Sequence, residues 1–189
     1  MLLVTLVHTQ NKSASATRGA TAPDFATLAD RYFDEYYFKF NPTQGTAAGF
    51  HQYDNQLEDY SRASVDRQIA LLKKFKDEFS REHAPAGGGS LALSIDRALI
   101  VHDINSRLHS LENIRPWEKN PDMYSGGVTG SVFLVMARTF APPEQRLKSV
   151  IAREKQVPAV FQAARQNLKN PPPIYVDIAL EQVPGLIVR

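Results

Sequence analysis

A chain of 189 residues is long enough for one domain, and 43% hydrophobic with 22% charged residues is ordinary globular usage. Twenty-two Lys and Arg against 20 Asp and Glu leave a net charge of +2, too little for a nucleic-acid footprint. The absence of Cys excludes disulfides, thiolate metal ligands and cysteine nucleophiles. No apolar run reaches the roughly 18 residues that a membrane-spanning helix needs.

Met1 to Val7 is apolar and resembles the tail of a secretory core, with small residues at Ala14-Ser15-Ala16 and Ala20-Thr21-Ala22 placed for cleavage. No Lys or Arg precedes that run. Residues 1–23 therefore read either as a signal remnant of an exported protein or as the disordered tail of a cytoplasmic one. Residues 24–189 read as one helical domain.

The hydrophobic period is helical almost throughout. Asp24 is placed to cap a first helix to Phe40, stopped by Asn41-Pro42. Its stripe of Leu28, Tyr32, Phe33, Tyr36, Tyr37 and Phe40 reads as core. A short helical turn over 43–48 and a structured loop over 49–55 come next. Ser61 or Ser64 caps the next helix, to about Glu82, with Val65, Ile69, Leu72, Phe75 and Phe79 on one face and mixed charges opposite. The segment His83 to Gly89, with Pro85 and three glycines, reads as a link between antiparallel helices. Ser90 caps the second of these, which runs to about Asn113.

Residues 117–127 look like turns, and 128–140 like a short buried helix. Pro142-Pro143-Glu144 starts a helix to about Gln156, and Pro158 opens another to Lys169. The last helix, from Ile174, is apolar on nearly every side and needs a cover. No stretch alternates as a strand would. The fold class is all-α, a bundle-like array of about seven helices without internal repeats.

Candidate chemistry is sparse. None of the five histidines forms an HExxH pair. His102 and His109 are two turns apart, about 10.5 Å along the axis, too far to share a zinc in ordinary geometry. His109 and Glu112 would need two outside ligands, and otherwise form a surface pair. Asp177 and Glu181 share a face of the last helix, suited to acid–base work in a cleft or simply to water. Gly87-Gly88-Gly89 lacks the Lys of a phosphate loop, and Ser131 lacks a nucleophile elbow. Basic residues such as Arg146, Arg153 and Arg165 come without interleaved aromatics, which argues against nucleic acid as a partner.

Several segments carry a resemblance. They are Asn41-Pro42 through Gly49-Phe50-His51-Gln52-Tyr53-Asp54, Leu57-Glu58-Asp59-Tyr60-Ser61, and Arg115-Pro116-Trp117-Glu118-Lys119-Asn120-Pro121 with Tyr124. Further along are Phe140-Ala141-Pro142-Pro143-Glu144-Gln145-Arg146-Leu147 and Asn167-Leu168-Lys169-Asn170-Pro171-Pro172, with Ile174-Tyr175 and Glu181-Gln182. In this order, over residues 28–183, they resemble the N-terminal part of the bacterial domain-of-unknown-function 885 family.

The resemblance implies a parent similar to helical zinc metallopeptidases, several hundred residues long and often exported. Its zinc segment, an H-E-x-x-x-G-H-H-like helix, would lie downstream of the matched region. The resemblance therefore implies zinc in the parent, and neither a cofactor nor catalytic and metal residues in this chain. Val183-Pro184-Gly185 departs from the continuing helix it implies, as a truncated product would.

Two groups remain as substrate-cleft candidates. His51, Tyr53 and Asp54 either rim the cleft or bond their own turn. Arg115 and Trp117 either take a substrate carboxylate and side chain, or hold and pack a helix end. The expectation is a non-catalytic helical portion that walls a peptide cleft, partnered by the C-terminal remainder that brings the zinc. The alternative is a stand-alone interaction module using the apolar last helix. A third reading is a small-ligand binder lined by Tyr and Phe.

Overall fold

The computed structural model describes residues 24–81 and 91–186, and all regular structure among them is helical. The leader or tail expected over 1–23, the link His83 to Gly89 and the Ser90 cap lie outside the described residues. Helix α1 opens as Phe25–Arg31, passes through a π-helical stretch Tyr32–Tyr37 and closes as Phe38–Phe40. Asp24 caps it, its carboxylate accepting the Thr27 amide at 2.8 Å. Then come α2 (Pro42–Ala47), a 3₁₀ turn (His51–Tyr53), α3 (Arg62–Arg81) and α4 (Leu91–His109), which continues as a π-helical stretch Ser110–Ile114. The second half comprises α5 (Pro116–Lys119), α6 (Asp122–Ala137), α7 (Pro143–Glu154), α8 (Val157–Asn167) and α9 (Pro173–Leu186). With α2 and α5 as short connectors, seven longer helices remain among the described residues.

The main core lies where α1, α3 and α4 meet. Leu28, Tyr32 and Tyr36 of α1 pack on Leu72, Phe75 and Phe79 of α3 and on Ile104 and Leu108 of α4. Most of the aromatic stripe thus fills the interior, with Tyr32 edge-on to Phe75 at 5.5 Å between centroids, whereas Phe33, expected in the core, is exposed. Its hydroxyl still finds a partner, donating at 2.5 Å to Asp103, which also accepts from Arg107 at 2.7 Å. Helix α3 enters this core because Ser61 caps it, accepting the Ser64 amide at 3.2 Å, and turns its apolar stripe inward.

A smaller cluster of Leu57, Tyr124, Val160 and Ala164 joins the second half. Tyr124 donates its hydroxyl to the Trp117 carbonyl, and Asn167 donates to the Tyr60 carbonyl at 2.7 Å. These bonds tie α5, α6 and α8 to the segment that leads into α3.

Residues 117–127 are mostly helical rather than turn. Helix α6 already begins at Asp122, whose amide is accepted by the Asn120 side chain at 3.1 Å, and it carries Gly126 and Gly127 inside it. Nor is it buried on most sides: Phe133 is 69% and Met136 60% exposed. The expected apolar surface of α9 is present, with Ala179 buried and Ile174 and Leu180 exposed. Its backbone stays helical through Pro184-Gly185 to Leu186. No described helix is long and apolar enough to cross a membrane.

Phe75 has no exposed surface. Phe75→Ala is expected to cost about 3–5 kcal/mol, read as a lower urea midpoint by circular dichroism. Burial pushes the Tyr36 phenol up to about 12. The folded state therefore holds this proton more tightly than the unfolded chain, so stability is intact below about pH 10 and falls as pH rises towards 12. Tyr36→Phe should flatten that alkaline decline in urea midpoints measured across pH.

Candidate functional site

The irregular segment between α2 and α3 has few backbone partners of its own, and α7 supplies them. Arg153 has no exposed surface, and all its bonds go to neutral acceptors. It donates to the carbonyls of Asp54 at 2.7 Å and Ser131 at 2.5 Å, and to the Thr46 hydroxyl at 2.7 Å. Burial pulls its guanidinium below the ordinary value, and the nearby Glu58 and Asp54 carboxylates offset part of that. Gln156, one turn on, accepts the Leu57 amide at 3.1 Å and donates to the Asn55 carbonyl at 2.8 Å.

Fixing this segment brings Glu58 and Tyr60 into the wall of a cavity of about 440 Å³. Tyr36, Phe40, Trp117 and Met123 supply its apolar surface, and Gly126, Gly127 and Gly130 of α6 form a side without side chains. Both π-helical stretches contribute, through Tyr36 and through Ser110 and Leu111. Such stretches interrupt the helical register and recur at functional sites. Glu58 accepts the Thr43 amide at 3.0 Å and the Thr43 hydroxyl at 2.9 Å, capping α2 from outside.

The cleft candidates fall into two groups. In the loop, His51 donates from Nδ1 to Asp54 at 3.0 Å while its ring stacks on Phe140, 4.3 Å between centroids. The other Asp54 oxygen is buried without a partner among the described residues. Tyr53 lies against Gly45, too close to leave room for a Cβ there. In the second group, Arg115 is left-handed at φ 55° and turns the chain from α4 into α5. Its guanidinium donates to Glu118 at 2.5 Å and lies 5.2 Å from the Trp117 ring centroid. Trp117 is buried, donates to the Leu111 carbonyl at 3.0 Å and carries Arg62 over its ring. Of the five, Trp117 alone lines the cavity.

The weaker pairs stay dispersed. His102 and His109 are exposed, and Glu112 meets Lys73 at 2.6 Å. Asp177 and Glu181 are exposed on α9. No three His, Asp or Glu side chains among the described residues come together as a metal site would require. Glu58, Tyr60, Arg153 and the glycine wall were not singled out as site residues from the sequence. The i, i+1, i+4 spacing of Gly126, Gly127 and Gly130 was the available signal, since it puts all three near one helix face.

The family profile of bacterial proteins of unknown function (DUF885) matches residues 42–189. The chain is also similar to a solved structure from Shewanella oneidensis, described as a candidate lipoprotein of unknown function, with a TM-score of 0.78 and 26% identity. That similarity covers 88% of this chain and 30% of the other, so the chain spans about a third of the solved protein's length. No curated protein matches.

Arg153→Ala would strand several buried acceptors at once. It is expected to destabilise the chain by about 3–5 kcal/mol in denaturant titrations. His51→Ala, at a half-exposed ring, should cost about 1 kcal/mol or less in the same measurement.

Proposed function

The chain belongs to the bacterial DUF885 family, and from that premise we propose that it is the N-terminal helical wall of a longer, zinc-dependent peptidase-like protein. The observation that supports this reading is the apolar surface left open in the second half. Phe133 and Met136 of α6, Leu147 of α7, and Ile174 and Leu180 of α9 are all exposed. Apolar exposure on this scale marks contact with further polypeptide. A relative about three times as long provides polypeptide to make that contact. Its description as a candidate lipoprotein supports export.

In this reading the hydrolytic ion and its activated water belong to the remainder of the longer protein. The donor set among the described residues does not fit zinc, so no chemical step is assigned to them. Their part is to shape one side of a peptide cleft. The competing reading, a free-standing interaction module, uses the exposed face of α9 for a separate partner.

Elemental analysis and oligopeptide hydrolysis on the 189-residue chain, beside a longer polypeptide from the same gene, test the proposal. Zinc at about one equivalent and hydrolysis are expected in the longer polypeptide only. Retention of zinc through dialysis with hydrolysis by the shorter chain would overturn it. So would a longer polypeptide that binds no zinc. The shorter chain should also bind a hydrophobic dye that the longer one excludes; a dye-negative, monodisperse short chain favours the module instead.

A further inference from the structure

The cavity between α1, α4, α5 and α6 has three features that internal packing does not require. The first is a carboxylate without a contacting counter-ion. Glu58 lines the cavity and bonds only the neutral Thr43 groups, with no cationic side chain within 4.0 Å among the described residues. The other charges that face the cavity are matched, Arg107 by Asp103 at 2.7 Å and Asp59 by Arg67 at 3.4 Å. Arg153 acts on Glu58 through space only, because its donors are committed to the loop and to α6.

The second feature is a phenol without a partner. The Tyr60 hydroxyl makes no hydrogen bond among the described residues, and it lies so near α6 that a Cβ at Gly127 would come within 2.6 Å of it. Glycine at 127 allows this approach.

The third feature is empty space that costs helix stability. A glycine inside a helix is less favourable than alanine by roughly 1 kcal/mol. At Gly130 an added Cβ would meet nothing within 4 Å, so neighbouring atoms do not demand glycine there. The room itself is what the glycine preserves.

We propose that this cavity binds a small organic ammonium ion with a flat apolar body. A carboxylate and a phenol oxygen are acceptors for the three donors of an ammonium group. Tyr36, Phe40 and Trp117 offer ring surface to its apolar body. Glu58, with no cation in contact, disfavours an anion at this wall. A volume of about 440 Å³ suits a compact ligand. This inference goes beyond the peptidase reading and does not rest on it.

Trp117 is the sole tryptophan, so its fluorescence reports directly on occupancy. The probe is 2-phenylethylamine, with 2-phenylethanol as the neutral counterpart, titrated into the chain at pH 7. The amine should give a saturable change and bind at least about tenfold tighter than the alcohol. Glu58→Gln should weaken the amine about tenfold or more, leaving the alcohol unchanged. Gly130→Leu places a side chain into the open space and should abolish the response while the helical dichroism is kept. That variant serves as the test should Glu58→Gln disturb the cap on α2. Equal binding of amine and alcohol, indifference to both substitutions, or no saturable response to the amine would each overturn the proposal. Zinc content and peptide hydrolysis do not enter these readouts, so the two proposals fail separately.

Discussion

Arg153 sits on α7 with its guanidinium closed off from water, donating to Thr46 of α2, to the carbonyls of the loop at 53–54 and to Ser131 of α6. Moving such a charge out of water costs several kcal/mol, so its site has to be complete. Neutral acceptors from three segments make it complete, which means none of the three can shift without exposing the charge to an unmatched interior. The loop cannot bond itself as a helix or sheet would, and buried backbone groups have to find partners. Arg153 of α7 and Gln156, in the turn before α8, provide those partners.

The cavity wall depends on that anchoring. Once Tyr53 to Leu57 are fixed, Glu58 reaches Thr43 at the start of α2, and Tyr60 lies over Gly127. The same wall collects several locally unfavourable features: glycines inside α6 and π-helical turns in α1 and after α4. Each conflicts with local preference, and such conflicts concentrate where function rather than stability sets the structure. Their convergence on one cavity is harder to attribute to chance than any one of them alone.

The sequence was most readable where a single residue has one physical use. Asp24 before an apolar stripe and Pro143 before Glu144 mark helix starts, and both helices begin there. The core stripe of α1 was equally plain, since aromatics at helical spacing have few alternatives to burial. The start of α6 was obscured because Gly126-Gly127 is a turn signal in a free peptide, and tertiary contacts with Tyr60 override it. Arg153 read as one more surface base, because nothing in the sequence around it shows that its acceptors lie about a hundred residues away. The sequence showed His51 and Asp54 as a polar loop, but neither their side-chain pairing nor the stacking of His51 on Phe140.

Helix α6 carries large apolar side chains both inside and outside. Tyr124 and Val135 are buried beside Ser125 and Ser131, while Phe133 and Met136 are exposed. Burying large apolar side chains is what stabilises a fold, so those left exposed add little to it unless something covers them. In α9 the pattern recurs, with Ala179 inside and Ile174 and Leu180 outside. Exposed apolar side chains on two neighbouring helices support the proposed contact with the rest of a longer protein. The glycines of α6 line the cavity and make room for a ligand. Phe133 follows Gly130 by three residues and Gly126 by seven, so the exposed apolar surface lies beside the cavity rather than opposite it. One helix thus bears on both proposals from neighbouring positions.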